Sequence, residues 1–98
     1  MSPPTLAELR GRREEILATA RARGASLVRV FGSVARGEAV DGSDVDFLVD
    51  LEPGRNLMDL GGLLMDLQEL LQCDDHVASE SALRPRVAAH AIAEAVNL

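Results

Sequence analysis

From Asp44 to Leu51 acidic and apolar side chains alternate: Val45, Phe47 and Val49 fall on one parity, Asp44, Asp46 and Leu48 on the other. A period of two is the signature of a β-strand with one buried face, because successive side chains point to opposite sides. The same alternation puts Asp44 and Asp46 on one side, about 6–7 Å apart at the rise of an extended chain. That spacing suits two acids gripping a divalent metal.

The chain has 98 residues, which makes one domain, 1–98, with a single core and no room for a second domain or a lid. Hydrophobic content is ordinary at 47%, but the aromatic residues are only Phe31 and Phe47, so the core must be aliphatic. All 10 basic residues are arginine. The absence of lysine excludes Schiff-base catalysis and the lysine of the phosphate-binding loop.

A formal net charge of −6 disfavours a polynucleotide substrate, whose phosphates require basic stripes. It does not exclude a small nucleotide whose phosphates are neutralised by magnesium. Cys73 is the lone cysteine, the amino-terminal stretch carries prolines and charges, and no run of 18 apolar residues is present. The expectation is a reduced, cytoplasmic protein with no membrane segment.

Around the alternating stretch the pattern is regular. Thr5 and Glu8 have capping-box spacing, and Leu6, Leu9, Ile16, Leu17 and Ala20 continue at helical intervals, predicting a helix over 5–22 with Gly24 as its stop. Ser26 to Phe31 reads as a strand ended by Gly32, and a small-residue segment then runs to Gly42. Pro53 and Gly54 mark a turn. Asn56 caps a helix carrying Leu57, Leu60, Leu64, Leu67 and Leu71. A third strand is expected over 73–79, and Pro85 opens a last helix through Val87, Ala91, Ile92 and Ala95 to the end. The fold class is α/β (α+β), a small mixed sheet with helices packed on one face.

Gly32 and Ser33 supply what the acids lack. A glycine lets phosphate approach the backbone, and the N–H groups of a following helix start favour an anion. Taken singly these signals are weak: a Gly-Ser turn fits a plain turn, and a D-x-D pair fits a solvated strand edge. An EF-hand is excluded, because the run from Asp41 has no glycine at loop position six and no glutamate at twelve. A dinucleotide fold is excluded by the missing G-x-G-x-x-G.

The joint pattern is more specific. Gly32-Ser33, Ala35-Arg36-Gly37 and Ser43-Asp44-x-Asp46 followed by Phe47-Leu48-Val49 closely resemble the signature of the DNA polymerase β-like nucleotidyltransferase superfamily. The compact length, and Leu83-Arg84-Pro85-Arg86 leading into a helix, resemble its minimal prokaryotic members. The resemblance implies a polymerase β-like fold. It implies that Gly32 and Ser33 contact the β- and γ-phosphates of ATP, that Arg36 lies near phosphate, and that Asp44 and Asp46 hold magnesium, two ions in all. It also implies AMP transfer to a hydroxyl of a partner protein, as in antitoxins paired with a HEPN-type toxin. The exposed helix faces leave room for a homo-oligomer.

One position departs from the family pattern. Members commonly carry a third acid, in a V-D-L-V strand seven residues before the leucine equivalent to Leu83; the matching residue here is His76. If Val77 faces the core, Asp74, His76 and Ala78 share the face of the metal acids, and Asp75 points the other way. His76 is thus the leading third catalytic residue, with Asp74 in reserve. A neutral imidazole can accept a proton or ligate metal, but it brings no negative charge. The alternative function is therefore a catalytically impaired antitoxin that acts by binding its partner.

Overall fold

The computed structural model describes residues 3–98. Its elements in chain order are α1 (Leu6–Gly11), α2 (Arg13–Ala22), β1 (Ala25–Phe31), α3 (Gly32–Arg36), β2 (Val45–Leu51), α4 (Leu57–Leu71), β3 (Asp75–Ser79), α5 (Pro85–Glu94) and β4 (Val96–Asn97). A 3-10 turn, Glu80–Ala82, joins β3 to α5. The single domain expected over 1–98 lies, at its first two positions, outside the described residues.

The four strands form one mixed sheet in the order β3-β2-β1-β4. β1 is antiparallel to β2 and to β4, whereas β2 and β3 are parallel. Parallel neighbours need a crossover, and α4 provides it. Asn56 starts α4 by accepting from the N–H groups of Met58 and Asp59, while the Asp59 carboxylate accepts from the Asn56 N–H. That reciprocal box satisfies amino-terminal donors that would otherwise be orphaned.

Val45, Phe47 and Val49 of β2 are fully buried against Val28 and Val30 of β1, Leu9, Ile16 and Ala20 of the first two helices, and Leu63 and Leu67 of α4. The core is aliphatic around one phenylalanine. A fully buried side chain of this size stabilises the fold by about 1.5–3 kcal/mol. Among the described residues no helix is long and apolar enough to cross a membrane.

Several boundaries differ from the sequence expectation: β1 starts at Ala25 and β3 at Asp75, the segment after β1 opens with α3, and the two largest differences lie in the outer helices. The helix predicted over 5–22 breaks at Arg12, which leaves helical geometry at φ −111° and ψ 20°. Gly11 weakens the helix there, and the Arg12 guanidinium instead donates to the Leu70 carbonyl at 2.9 Å, tying the break to the end of α4. The final helix ends at Glu94 rather than continuing. Val96 and Asn97 pair with Val30 and Arg29, Leu98 donates its N–H to the Val28 carbonyl, and its side chain is buried. The edge groups of β1 and the core outweigh helical continuation here.

Candidate active site

Gly32 stands where β1 turns into α3, with φ +75°. L-residues avoid that region, and a β-carbon at this position would collide with Oδ2 of Asp46. The sequence has glycine here because the turn must be left-handed and the carboxylate must lie against the backbone. No side chain caps the amino end of α3, so its first N–H groups are not engaged by a cap. Ser33 sits in that first turn, and its carbonyl accepts from Glu38. The turn reverses the chain toward β2.

Asp46 lies within β2, paired in register with Phe31 of β1 and His76 of β3. Asp44 immediately precedes β2. Both acids fall on the parity opposite Val45 and Phe47, so both leave the sheet on the side away from the main core. His76 reaches diagonally across the strand pair, and its Nε2 lies 2.6 Å from Oδ2 of Asp44. An ionised carboxylate only accepts, so the bond places a proton on Nε2 and, in the neutral ring, leaves Nδ1 as the acceptor.

Asp46 is half-buried, and burial raises its carboxyl above the usual carboxylate range. The nearby His76 opposes that shift, Asp44 reinforces it, and Arg36 opposes it more weakly. Its environment therefore favours a bound cation. Asp44 and Asp46 are hard oxygen donors of the kind magnesium shares with substrate phosphates. Among the described residues no three histidine, cysteine or acidic side chains form a cage that could hold a metal by themselves. Two carboxylates completed by phosphate oxygens fit the donor set; an all-protein cage does not.

Arg36 is positioned by two glutamates, Glu38 at 3.0 Å and Glu94 at 2.8 Å. Those bonds, Glu38 first, raise its already high pKa. Glu94 also lies 3.4 Å from His90. Glu94 thus pins α5 to the turn that carries Gly32, a role with no motif to mark it in the sequence. Ser43 closes the loop before β2 by exchanging hydrogen bonds with Val40.

Asp74 is exposed, and its carbonyl accepts from the Val45 N–H at 3.2 Å. Asp75 points into the interior, where it is 3% exposed and neither carboxylate oxygen has a hydrogen-bond partner. Where the loop before β2 meets the end of α4, a cavity of about 490 Å³ is lined in part by Ser43, Gln68, Gln72, Cys73 and Asp74, and neither Asp44, Asp46 nor His76 lines it. Asp46 therefore has the glycine turn on its β1 side and His76 on its β3 side, and His76 in turn bonds Asp44.

Comparison with known proteins identifies the family and the fold. The Nucleotidyltransferase domain family matches residues 13–96. A Methanocaldococcus jannaschii protein with the provisional name of protein adenylyltransferase is 33% identical over 75 residues, which span 76% of this chain and 81% of that protein. A solved structure provisionally described as a minimal nucleotidyltransferase is 45% identical, with a TM-score of 0.86 over 97% of each chain. The fold also matches a toxin–antitoxin crystallised with AMP-PNP, with a TM-score of 0.75 at 17% identity over 86% of this chain and 69% of that one. The chain belongs to the nucleotidyltransferase domain family, as a minimal nucleotidyltransferase.

Proposed function

We propose that this nucleotidyltransferase transfers AMP from ATP to a hydroxyl of a partner protein, within one cytoplasmic domain spanning 1–98. The observation that carries the proposal is the convergence of Asp44, Asp46 and His76 on one face of the sheet, with Gly32 against Asp46. Gly32 and Ser33 bind the β- and γ-phosphates, and Arg36 approaches phosphate by exchanging one of its two glutamate partners for it. Asp44 and Asp46 would hold magnesium, two ions when ATP is bound, which when present offsets charge on the triphosphate.

Transfer forms a bond from the acceptor oxygen to the α-phosphorus and breaks the bond to the oxygen that bridges to the β-phosphate. Pyrophosphate leaves at the glycine turn. In-line displacement then requires the acceptor to approach from the opposite end. That is the side with His76, which flanks Asp46 from β3. His76 Nδ1 takes the acceptor proton, while its bond to Asp44 orients the ring.

A HEPN-type toxin is the proposed partner. Incubation with α-labelled ATP, magnesium and the genomic-neighbour protein should label the neighbour, and Asp44→Asn should remove the label. A second reading, neutralisation by binding alone, is favoured by one observation: an imidazole stands where the family has a third acid. Inhibition of the neighbour that survives both Asp44→Asn and Asp46→Asn, with no label transferred, would establish it over catalysis.

A further inference from the structure

Arg36 ends α3, the helix that begins at Gly32, and two carboxylates hold it in different ways. Glu38 accepts from Nε at 3.0 Å, and Glu94 accepts from Nη1 at 2.8 Å. Glu38 stands two residues further along the chain, and its side chain is 66% exposed. Glu94 comes from the end of α5, and its side chain is only 20% exposed. The Glu94 oxygen that meets Arg36 also lies 3.4 Å from Nε2 of His90, one helical turn back, so Glu94 is steadied from its own helix as well.

The two partners differ in what it costs to give them up. A guanidinium binds an oxyanion best through two parallel N–H bonds, and the edge formed by Nε and Nη2 is one such fork. Glu38 occupies that edge through Nε alone, and among the described residues nothing accepts from Nη2. Once displaced by phosphate, Glu38 returns to water at little cost. Glu94 has no such exit. Without Arg36 it would be a mostly shielded carboxylate in the field of Asp46, whose carboxyl it already raises.

We propose that Glu94 is a positioning residue of the nucleotide site: it keeps Nη1 of Arg36 while Glu38 yields the Nε edge to a triphosphate oxygen. The assignment rests on the reading that Arg36 meets the triphosphate of ATP. It gives opposite roles to two glutamates that bond the same arginine. Glu38 is an internal competitor of ATP, and Glu94 is the strut that fixes the guanidinium from α5. Charge alone predicts something else, since removing either negative charge near a phosphate site favours an anion. The sign of the Glu94 effect therefore separates positioning from charge.

Titration calorimetry of the full chain with ATP and magnesium, at one salt concentration, tests this. Arg36→Ala should weaken ATP binding about tenfold, the loss of one charge-assisted contact. Glu38→Ala should tighten it about threefold, and Glu94→Ala should weaken it about fivefold. Glu94→Gln keeps an oxygen acceptor at the same reach and should weaken binding only about twofold; it carries the test by itself if the alanine variant does not fold. In an Arg36→Ala background, Glu94→Ala should no longer weaken binding, as a double-mutant cycle requires of a residue that acts through Arg36.

Unchanged or tighter ATP binding by the Glu94 variants overturns the inference, as does the same weakening with and without Arg36. Weaker or unchanged binding by Glu38→Ala also overturns it. Each of these results leaves the phosphate reading of Arg36 standing. Unchanged binding by Arg36→Ala overturns both.

Discussion

Replacing Asp75 by asparagine should stabilise the protein, and the gain should depend on pH. Asp75 is 3% exposed, neither carboxylate oxygen has a hydrogen-bond partner, and desolvation pushes its pKa up to about 7. A raised carboxyl pKa means that the folded state prefers the protonated form. Its contribution is fully favourable below the unfolded pKa near 4 and is lost as pH rises through 7. With about 1.4 kcal/mol per pH unit, burying Asp75 costs about 4 kcal/mol at pH 8, where it is ionised, and about 1 kcal/mol at pH 4.5, where it is protonated when folded but largely ionised when unfolded. Asparagine keeps the shape and removes the charge. Chemical denaturation of both proteins at pH 4.5 and pH 8 should show the variant ahead at pH 8, with most of the gain gone at pH 4.5. An equal difference at both values, or a variant less stable at pH 8, refutes the assignment of a buried, unpartnered carboxyl.

Three further substitutions probe the turn, the third position and the crossover helix. Gly32→Ala should cut transfer about a hundredfold with little loss of helical signal, because its β-carbon displaces the Asp46 carboxylate; steady-state kinetics and circular dichroism together check this. His76→Asp should strengthen magnesium binding by restoring a negative charge beside Asp44, and unchanged affinity by titration calorimetry would remove His76 from the metal acids. Asn56→Ala should cost about 1 kcal/mol by opening the capping box of α4, visible as a lower melting temperature with unchanged nucleotide binding.

The parts of this protein that were legible in the sequence are those governed by short-range period. Alternation from Val45 to Val49 set the face of Asp44 and Asp46, and the same rule, carried from Val77, put His76 on that face and Asp75 inside. Asn56 and the leucines behind it read directly as a capped helix. Long-range contacts left no such mark. The break at Arg12 depends on a carbonyl 58 residues away on α4, and Arg36 is held by Glu94, also 58 residues distant. β4 is two residues long, too short for any period, and it forms because β1 offers an open edge. The alternation rule also gave no warning that Asp75 would have no partner. That depends on what the helices bring to the interior, which no local pattern reports.

The central claim is chemical: the bond between the α- and β-phosphates of ATP breaks, and AMP moves to a protein hydroxyl. The most direct measurement counts pyrophosphate released and AMP gained by the partner, the latter by intact mass spectrometry, in the same magnesium-containing reaction. Equal amounts of both with the wild-type chain, and neither with Asp44→Asn or Asp46→Asn, is the expected result. Release of phosphate and ADP instead, or a neutralised partner of unchanged mass with no pyrophosphate formed, would contradict it.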